Sequence, residues 1–190
     1  HTRTLSSTSF PMRVIRGKYG HRRFDVPKSF NARPTTDFAK ENLFNILSNR
    51  FDFEGLSAID LFSGTGSIAL ELVSRGCSSV TSIEKRREHA AFIRNLIKHL
   101  NEENCWRVFE TDVFLFLERN KACHRYDLVF ADPPYALTEL EQLPTKVLES
   151  NILAEGGLFI LEHPKDFSFT EHPRFEEHRA YGSVNFTFFR

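Results

Sequence analysis

The 190-residue chain lacks several features that would place it in a specialised class of protein. It has no apolar run near the roughly 20 residues that a membrane-spanning helix needs. Its three cysteines, Cys77, Cys105 and Cys123, have neither the even number of a disulfide framework nor the close paired spacing of a zinc site. Its eight histidines show no metal-ligand spacing. These absences favour a single soluble, cytoplasmic domain with reduced thiols and no metal.

Methionine is nearly absent as well, and the single one is Met12. The eleven residues before it are polar and contain neither an apolar stretch nor a small-residue cleavage signal. We therefore expect residues 1–11 to be an expression remnant or a disordered extension, and Met12 to be the true start.

The formal net charge is zero, but the charge is unevenly spread. Between residues 12 and 34 seven basic residues accompany one acidic residue, Asp25, so the rest of the chain is net acidic. A basic segment of this kind is typical of a polyanion-binding arm, and a solvated, disordered start is the alternative. Apolar pairs on both sides of Gly17 and Gly20 predict a short hairpin, which favours the arm. The predicted arm spans residues 12–32, and the candidate RNA-binding residues are Arg13, Arg16, Lys18, Arg22, Arg23 and Arg33.

The remaining segment, residues 33–190, alternates short apolar runs with stretches of helical spacing. The runs predict strands at residues 58–62, 80–83, 106–109, 126–131 and 158–161, and a closing hairpin at 175–180 and 184–189. Strands that alternate with helices predict a doubly wound α/β sheet of the Rossmann-like type. In such a sheet, ligands bind at the carboxyl ends of the strands, where the strand order reverses.

A glycine loop follows the first strand of this domain. Gly64 and Gly66 match a dinucleotide fingerprint, and Glu84 stands 20 residues after Gly64, where an acid would accept hydrogen bonds from ribose hydroxyls. NAD and S-adenosylmethionine both need glycines there, because the backbone must turn tightly and let the ligand approach. Asp60 favours the second ligand, since a carboxylate beside the loop suits a cation better than a pyrophosphate.

Asp112 follows the third strand of the domain and is a further candidate on the same rim. Its carboxylate could accept a hydrogen bond from the adenine amino group of the cofactor. A helix N-cap is an equally good interpretation of an aspartate at that position.

The tetrapeptide Asp132-Pro133-Pro134-Tyr135 follows the fourth strand directly. The Asp132 carboxylate and the Pro133 carbonyl would accept both hydrogens of an exocyclic amino group and aim its nitrogen at a methyl donor, with orientation supplying most of the catalysis. Tyr135 would stack on an unstacked base. A turn without function is the alternative, because Asp-Pro pairs are common in turns. The position after a central strand favours catalysis.

These segments together resemble the bacterial RsmD family, which methylates guanine N2 in 16S ribosomal RNA. The likeness extends from Met12 to the last strand and includes residues 12–17, 33–36 and 43–47. It implies a class I methyltransferase that uses S-adenosylmethionine, with a mostly parallel seven-stranded sheet, an antiparallel C-terminal hairpin and a small N-terminal hairpin arm. It also implies that the substrate is 16S RNA in a partly or fully assembled small ribosomal subunit, and we expect the enzyme to be a monomer.

The resemblance assigns site residues by position. It implies catalysis at Asp132, Pro133, Pro134 and Tyr135, and cofactor binding at Asp60, Phe62, Gly64, Thr65, Gly66, Glu84, Lys85, Asp112 and Val113. Phe38 and Lys40 stand where the family commonly has arginines.

Three other functions compete with this one. A DNA adenine-N6 or cytosine-N4 methyltransferase shares the tetrapeptide, but it normally needs a target-recognition region for which 190 residues leave little room. A non-catalytic nucleic-acid-binding protein would have little use for the acids Asp60, Glu84 and Asp132. An NAD oxidoreductase is opposed by Asp60.

Overall fold

A computed structural model describes residues 11–30, 35–120 and 124–190 of the chain. The predictions for residues 1–10, Arg33 and Cys123 lie outside these residues. The described part contains nine strands and five α-helices. The strands are β1 (Pro11–Arg13), β2 (Arg23–Asp25), β3 (Ser57–Leu61), β4 (Ser79–Glu84), β5 (Trp106–Glu110), β6 (Tyr126–Ala131), β7 (Leu153–His163), β8 (Phe175–Tyr181) and β9 (Val184–Phe189). The helices are α1 (Asp37–Arg50), α2 (Ser67–Ser74), α3 (Arg87–His99), α4 (Val113–Asn120) and α5 (Leu143–Glu149).

Seven of the described strands form one sheet in the order β5-β4-β3-β6-β7-β9-β8. The first five are parallel, and β9 and β8 add an antiparallel hairpin at one edge. The order reverses between β3 and β6, which places the predicted ligand crevice at the ends of these two central strands. The predicted fold class is confirmed, including the small separate hairpin of β1 and β2.

Helices cover both faces of the sheet, as the near-continuous apolar strands require. Phe130 faces a core shared with α1, α2 and α3, whereas its neighbours Val129 and Ala131 face a second core shared with α4 and α5. Alternate residues of each central strand therefore point to opposite layers. This alternation determines which side chains meet at the end of each strand.

The arm packs on α2 through a contact that requires glycine. Gly17 has φ +91°, and a Cβ on it would lie 2.0 Å from the Ser74 carbonyl oxygen. The same carbonyl accepts the Lys18 N–H at 2.7 Å, and the Ser74 hydroxyl accepts the Tyr19 N–H at 2.9 Å. The arm is therefore attached to the body by backbone hydrogen bonds.

One strand differs from its sequence-based prediction. β7 begins at Leu153, five residues earlier than predicted, and it continues through His163. The segment between β6 and β7 contains a 3₁₀ turn, Leu140–Gln142, followed by α5. Pro144 lies in the first turn of α5, where a proline suits the start of a helix and not its interior. None of the helices in the described ranges is long and apolar enough to cross a membrane.

Candidate active site

Four carboxylates line the carboxyl ends of four adjacent strands. In spatial order they are Glu84 on β4, Asp60 on β3, Asp132 after β6 and Glu162 on β7. The register pairs Asp60 with Phe130 and Ala131 with Leu161, so Asp132 and Glu162 come next to each other. The strand pattern directs all four side chains to the face that carries α1, α2 and α3. We call these four residues the acidic row.

The glycine loop, residues 62–66, lies between β3 and α2. Phe62, Gly64 and Gly66 all have positive φ, at 60°, 60° and 82°. A Cβ on Gly66 would lie 3.1 Å from the Trp106 ring and 3.2 Å from an Ile93 side-chain carbon. The loop therefore turns tightly against α3 and β5, as the glycines predicted.

Asp60 is fully enclosed beneath this loop. The Ser63 hydroxyl donates a 2.8 Å hydrogen bond to its carboxylate. Burial raises the pKa of Asp60 to about 7, although the hydrogen bonds from Ser63 and the Ala69 N–H oppose the rise. Negative charge on Glu84 and Glu162 raises the pKa further. A cation placed beside Asp60 would reverse these effects and favour the ionised form.

This pKa leads to a prediction for cofactor binding. If Asp60 holds the ammonium group of S-adenosylhomocysteine, it must be ionised in the complex, and below pH 7 binding must release its proton. We expect the affinity to fall about tenfold for each pH unit below about 7, which corresponds to about 1.4 kcal/mol per unit. Calorimetry between pH 5.5 and 8.5 measures this slope. Asp60→Asn should remove the slope, and an unchanged slope in that variant would contradict the role given to Asp60.

Glu84 already has several hydrogen-bond donors. Its carboxylate accepts from the Gly64 N–H at 2.9 Å and from the Arg86 N–H at 2.8 Å. The Arg86 guanidinium adds contacts at 3.1 and 3.2 Å. Glu84 therefore braces the loop, and ribose hydroxyls would replace the exposed guanidinium contacts. The neighbouring Lys85 is exposed.

Asp112 and Val113 lie on the same rim, beyond β4. The Thr111 N–H donates to the Glu84 carbonyl at 3.2 Å, which brings this segment beside the acidic row. Asp112 is exposed and accepts the Leu115 N–H at 3.1 Å, so it caps α4. The capping role expected as the alternative is present, and an adenine contact would be additional to it.

The tetrapeptide leaves the end of β6 toward solvent. Asp132 is half-buried, Pro133 is buried, and Pro134 is exposed with its carbonyl accepting the Leu137 N–H at 2.9 Å. Tyr135 is 47% exposed, so its ring is accessible at the mouth of the site. The carboxyl group therefore lies further inside than the aromatic ring, which is at the mouth of the site.

Sequence reasoning missed Glu162. Burial raises the pKa of Asp132 well above its usual range, and the charge and hydrogen bond of Glu162 raise it further. The signal was present in the sequence, because Glu162 ends an apolar strand as Asp132 and Glu84 do. Its significance depends on β7 lying directly beside β6.

The arm presents its predicted basic residues to solvent. Arg13, Arg16, Lys18, Arg22 and Arg23 are all exposed, while Arg33 is outside the described residues. Lys18 is engaged by Glu102 at 2.8 Å. Met12 reaches the glycine loop, where its sulfur lies 3.7 Å from the Thr65 hydroxyl. The arm therefore adjoins the rim that carries the acidic row.

Lys40 and Phe38 differ sharply in environment. Lys40 is 1% exposed, and its ammonium donates to the Arg13 carbonyl at 2.9 Å and to the Ser67 hydroxyl at 3.0 Å. It also lies 3.4 Å from Glu71. Phe38 is 61% exposed and meets the Tyr181 ring edge-on. Lys40 thus joins α1, α2 and the arm, and it is not a surface phosphate contact.

Glu71 is the second residue that sequence reasoning missed. It is fully buried on α2 and accepts from the Ile15 N–H at 2.8 Å and the Arg16 N–H at 3.1 Å. Arg75 donates to the same carboxylate oxygen as the Arg16 N–H does, at 2.8 Å. A glutamate within the apolar stretch of residues 68–73 is unusual enough to have indicated a buried ion pair.

Potential metal ligands do not cluster in the part of the chain that the structure describes. No group of three or more His, Cys, Asp or Glu side chains in residues 11–30, 35–120 and 124–190 could hold a metal ion. Cys77 and Cys105 are free thiols, and Cys105 donates to the Cys77 carbonyl at 3.1 Å.

Known proteins resemble the chain over most of its length. A family model described as conserved hypothetical protein 95 matches residues 12–190. Ribosomal RNA small subunit methyltransferase D of Escherichia coli K12 is 33% identical over 158 residues, 82% of this chain and 76% of that protein. The protein of the same name from Buchnera aphidicola subsp. Baizongia pistaciae is 31% identical over 151 residues, 80% of this chain and 75% of that protein. A hypothetical protein of Thermus thermophilus superposes with a TM-score of 0.82 at 30% identity, covering 94% of this chain and 98% of its own.

Proposed function

Because the chain belongs to the family of conserved hypothetical protein 95, which includes the RsmD methyltransferases, we propose that it methylates the exocyclic N2 of a guanine in 16S ribosomal RNA. The methyl donor is S-adenosylmethionine, and the RNA lies in a partly or fully assembled small ribosomal subunit. The enzyme works as a monomer in the cytoplasm.

The observation that carries this proposal is the acidic row. Asp132 and Asp60 end neighbouring strands, so an acceptor for a target amino group adjoins the loop of a nucleotide-like cofactor. A methyl donor held at the loop and an amino group held at Asp132 can therefore meet at the switch in strand order.

The residues present fit S-adenosylmethionine in two respects. A Cβ on Gly64 would meet no protein atom nearer than an Arg86 guanidinium nitrogen at 3.9 Å, so the loop backbone is open to a ligand on this side. The enclosed carboxylate of Asp60 suits the ammonium group of this cofactor better than a pyrophosphate. Glu84 would accept hydrogen bonds from the ribose hydroxyls, and Asp112 with Val113 would border the adenine. The remaining proposed contacts come from Phe62, Gly64, Thr65 and Lys85.

The chain's own groups would orient the target. S-adenosylmethionine held at the loop would supply a sulfonium methyl group for the amino nitrogen, with S-adenosylhomocysteine as the leaving group and one amino proton released to solvent after the transfer. The Asp132 carboxylate and the Pro133 carbonyl accept the two amino hydrogens, which frees the nitrogen lone pair from the ring and aims it. Pro133 and Pro134 keep that carbonyl in place, because their fixed φ restricts the turn. Tyr135 stacks on the base.

The test of this function is a nucleoside assay. Purified protein is incubated with labelled S-adenosylmethionine and with small subunits, or bare 16S RNA, from a strain that lacks the endogenous enzyme. We expect label in N2-methylguanosine after digestion. Label in N6-methyladenosine would refute the guanine assignment, and the absence of label from both RNA substrates would refute the RNA methylation.

The arm gives a second, independent prediction. Arg22→Gln with Arg23→Gln removes two exposed charges, which should weaken RNA binding and flatten its dependence on salt. For two lost contacts to a single strand, we expect the slope of log K against log salt to shrink by about 1.4. Binding titrations from 50 to 300 mM salt measure this slope.

A matched control uses Arg119→Gln with Lys146→Gln, two exposed charges on α4 and α5. These helices cover the other face of the sheet, so this pair should leave the slope unchanged. An equal reduction by both double variants would mean that binding reflects total charge and not the arm.

A further inference from the structure

Glu162 lies at the end of β7, directly beside the carboxyl group of Asp132. Ala131 pairs with Leu161 across the two parallel strands, so the next residue on each strand continues the same register. Glu162 is 5% exposed and shares a hydrogen bond with Asp132. The Thr35 hydroxyl, which immediately precedes the cap of α1, donates to Glu162 at 2.7 Å. Glu162 is therefore fixed from two sides.

Two carboxyl groups in contact inside a protein do not ionise independently. Burial raises the pKa of both groups, but the Thr35 hydroxyl and the hydrogen bond from Asp132 hold down the pKa of Glu162. Because Glu162 has the Thr35 hydroxyl as a donor at 2.7 Å, the negative charge of the pair favours Glu162 and the proton favours Asp132. In this state the protonated carboxyl group of Asp132 is a hydrogen-bond donor. A target amino group needs a hydrogen-bond acceptor instead.

We propose that Glu162 is a positioning residue for Asp132, which fixes the orientation of the Asp132 carboxyl group and governs when that group can accept the target amino hydrogens. The proposal rests on the proposed function, in which Asp132 is that acceptor. Before the amino group can be held, the O–H bond of Asp132 breaks and the proton passes to Glu162 or to water. The electron pair stays on the Asp132 carboxylate, which then accepts the amino N–H.

The charged and polar groups around Asp132 come from several elements. Glu162 and Asp60 lie on the strands at either side of it, Glu84 lies one strand further, and Thr35 approaches from the start of α1. Among these groups Glu162 touches Asp132 directly. Replacing its charge by a neutral donor should therefore have the largest effect on the protonation of Asp132.

The experiment compares wild type with Glu162→Gln by two measurements. The first is the pH profile of kcat/KM for methyl transfer to 16S RNA. The second is the ¹³C carboxyl titration of Asp132 in the free protein, assigned by its loss in Asp132→Asn. The glutamine keeps an acceptor for Thr35 and gives Asp132 a donor, so we expect both the acid limb and the titration to move down by about one to three pH units. Asp127→Asn, at the opposite end of β6, is the matched control and should move neither.

Thr35→Val provides a second variant if Glu162→Gln fails to fold. It keeps both carboxyl groups but removes the donor that stabilises the ionised Glu162, so the shared proton shifts toward Glu162. Activity on the acid side of the profile should rise relative to the plateau.

Each outcome decides the proposal. Shifts in both measurements support it. An unshifted titration overturns it, and a shifted titration with an unmoved acid limb overturns the role of Glu162 in the reaction. The titration needs neither RNA nor methyl transfer. If the wild-type protein methylated no RNA, the proposed function would be contradicted. The titration would still show whether Glu162 affects the protonation of Asp132.

Discussion

Asp132→Ala is expected to lower methyl transfer by about a thousandfold or more. The substitution removes the acceptor that orients the amino group, and a lost contribution of this kind typically lowers rates about 10²- to 10⁴-fold. Cofactor affinity should stay within about threefold at pH 8, because Asp60, Glu84 and the glycine loop are unchanged. Single-turnover transfer and calorimetry with S-adenosylhomocysteine measure the two quantities separately.

Asp127→Ala is the control for that substitution. Asp127 lies near the start of the same strand and accepts the Ser57 N–H at 3.0 Å, far along β6 from the tetrapeptide. It should reduce stability slightly and leave the rate per folded molecule unchanged. Full activity in Asp132→Ala would contradict the proposed role of Asp132 in orienting the amino group. Loss of cofactor binding in that variant would show that Asp132 binds the cofactor and not the target base.

Glu71→Gln is expected to destabilise the protein by about 3 to 5 kcal/mol. Removing one partner of a buried ion pair leaves the other charge without compensation, and Lys40 is 1% exposed. Burial already lowers the pKa of Lys40, and Glu71 opposes that shift. Without Glu71 the pKa of Lys40 in the folded state falls further. The folded state then binds fewer protons than the unfolded state over a wider pH range than in the wild type. Stability of the variant should therefore increase as pH rises toward the ordinary lysine pKa.

Denaturant unfolding at pH 7 and pH 9.5 measures both effects. Glu177→Gln is the matched control, because Glu177 pairs with Arg179 at 3.2 Å on the surface. An exposed pair of this kind contributes about 1 kcal/mol or less. The double variant Lys40→Met with Glu71→Gln removes the uncompensated lysine charge and keeps a side-chain acceptor for the Ile15 and Arg16 N–H groups, so it should recover part of the loss. A loss of under about 1 kcal/mol in Glu71→Gln would show that the buried network contributes little.

The parallel strands could be predicted because they are buried on both faces of the sheet, and their sequences are therefore almost continuously apolar. Residues 126–131 were predicted as a strand with the bounds that the structure has, since an apolar run ends there at two prolines. The start of β7 was missed because Glu155, Gly156 and Gly157 interrupt its apolar pattern. Leu153 pairs with Tyr126 across a shift in register, and such a shift leaves no periodic signal.

The candidate site was predictable one strand at a time. Asp60 and Asp132 could be picked out because each lies in or directly after an apolar run that leads into a glycine or proline turn, and Glu84 because it stands 20 residues after Gly64. The contact between Asp132 and Glu162 could not, because it depends on the order of the strands in space. The partners of Glu71 could not be predicted for a related reason: those in the arm are more than 50 residues away in the chain.

The acidic row and the arm carry opposite charge on one rim of the molecule. Carboxylates repel phosphates, so the row can accept a neutral base or a cation but resists the backbone to which the base is attached. The exposed arginines of the arm have the opposite preference. In the proposed function, a nucleotide at this rim would have its phosphate held at the arm and kept away from the acidic row, while its neutral base could approach the row. The separation of charge along the rim would thus favour a bound nucleotide whose base is turned away from its backbone.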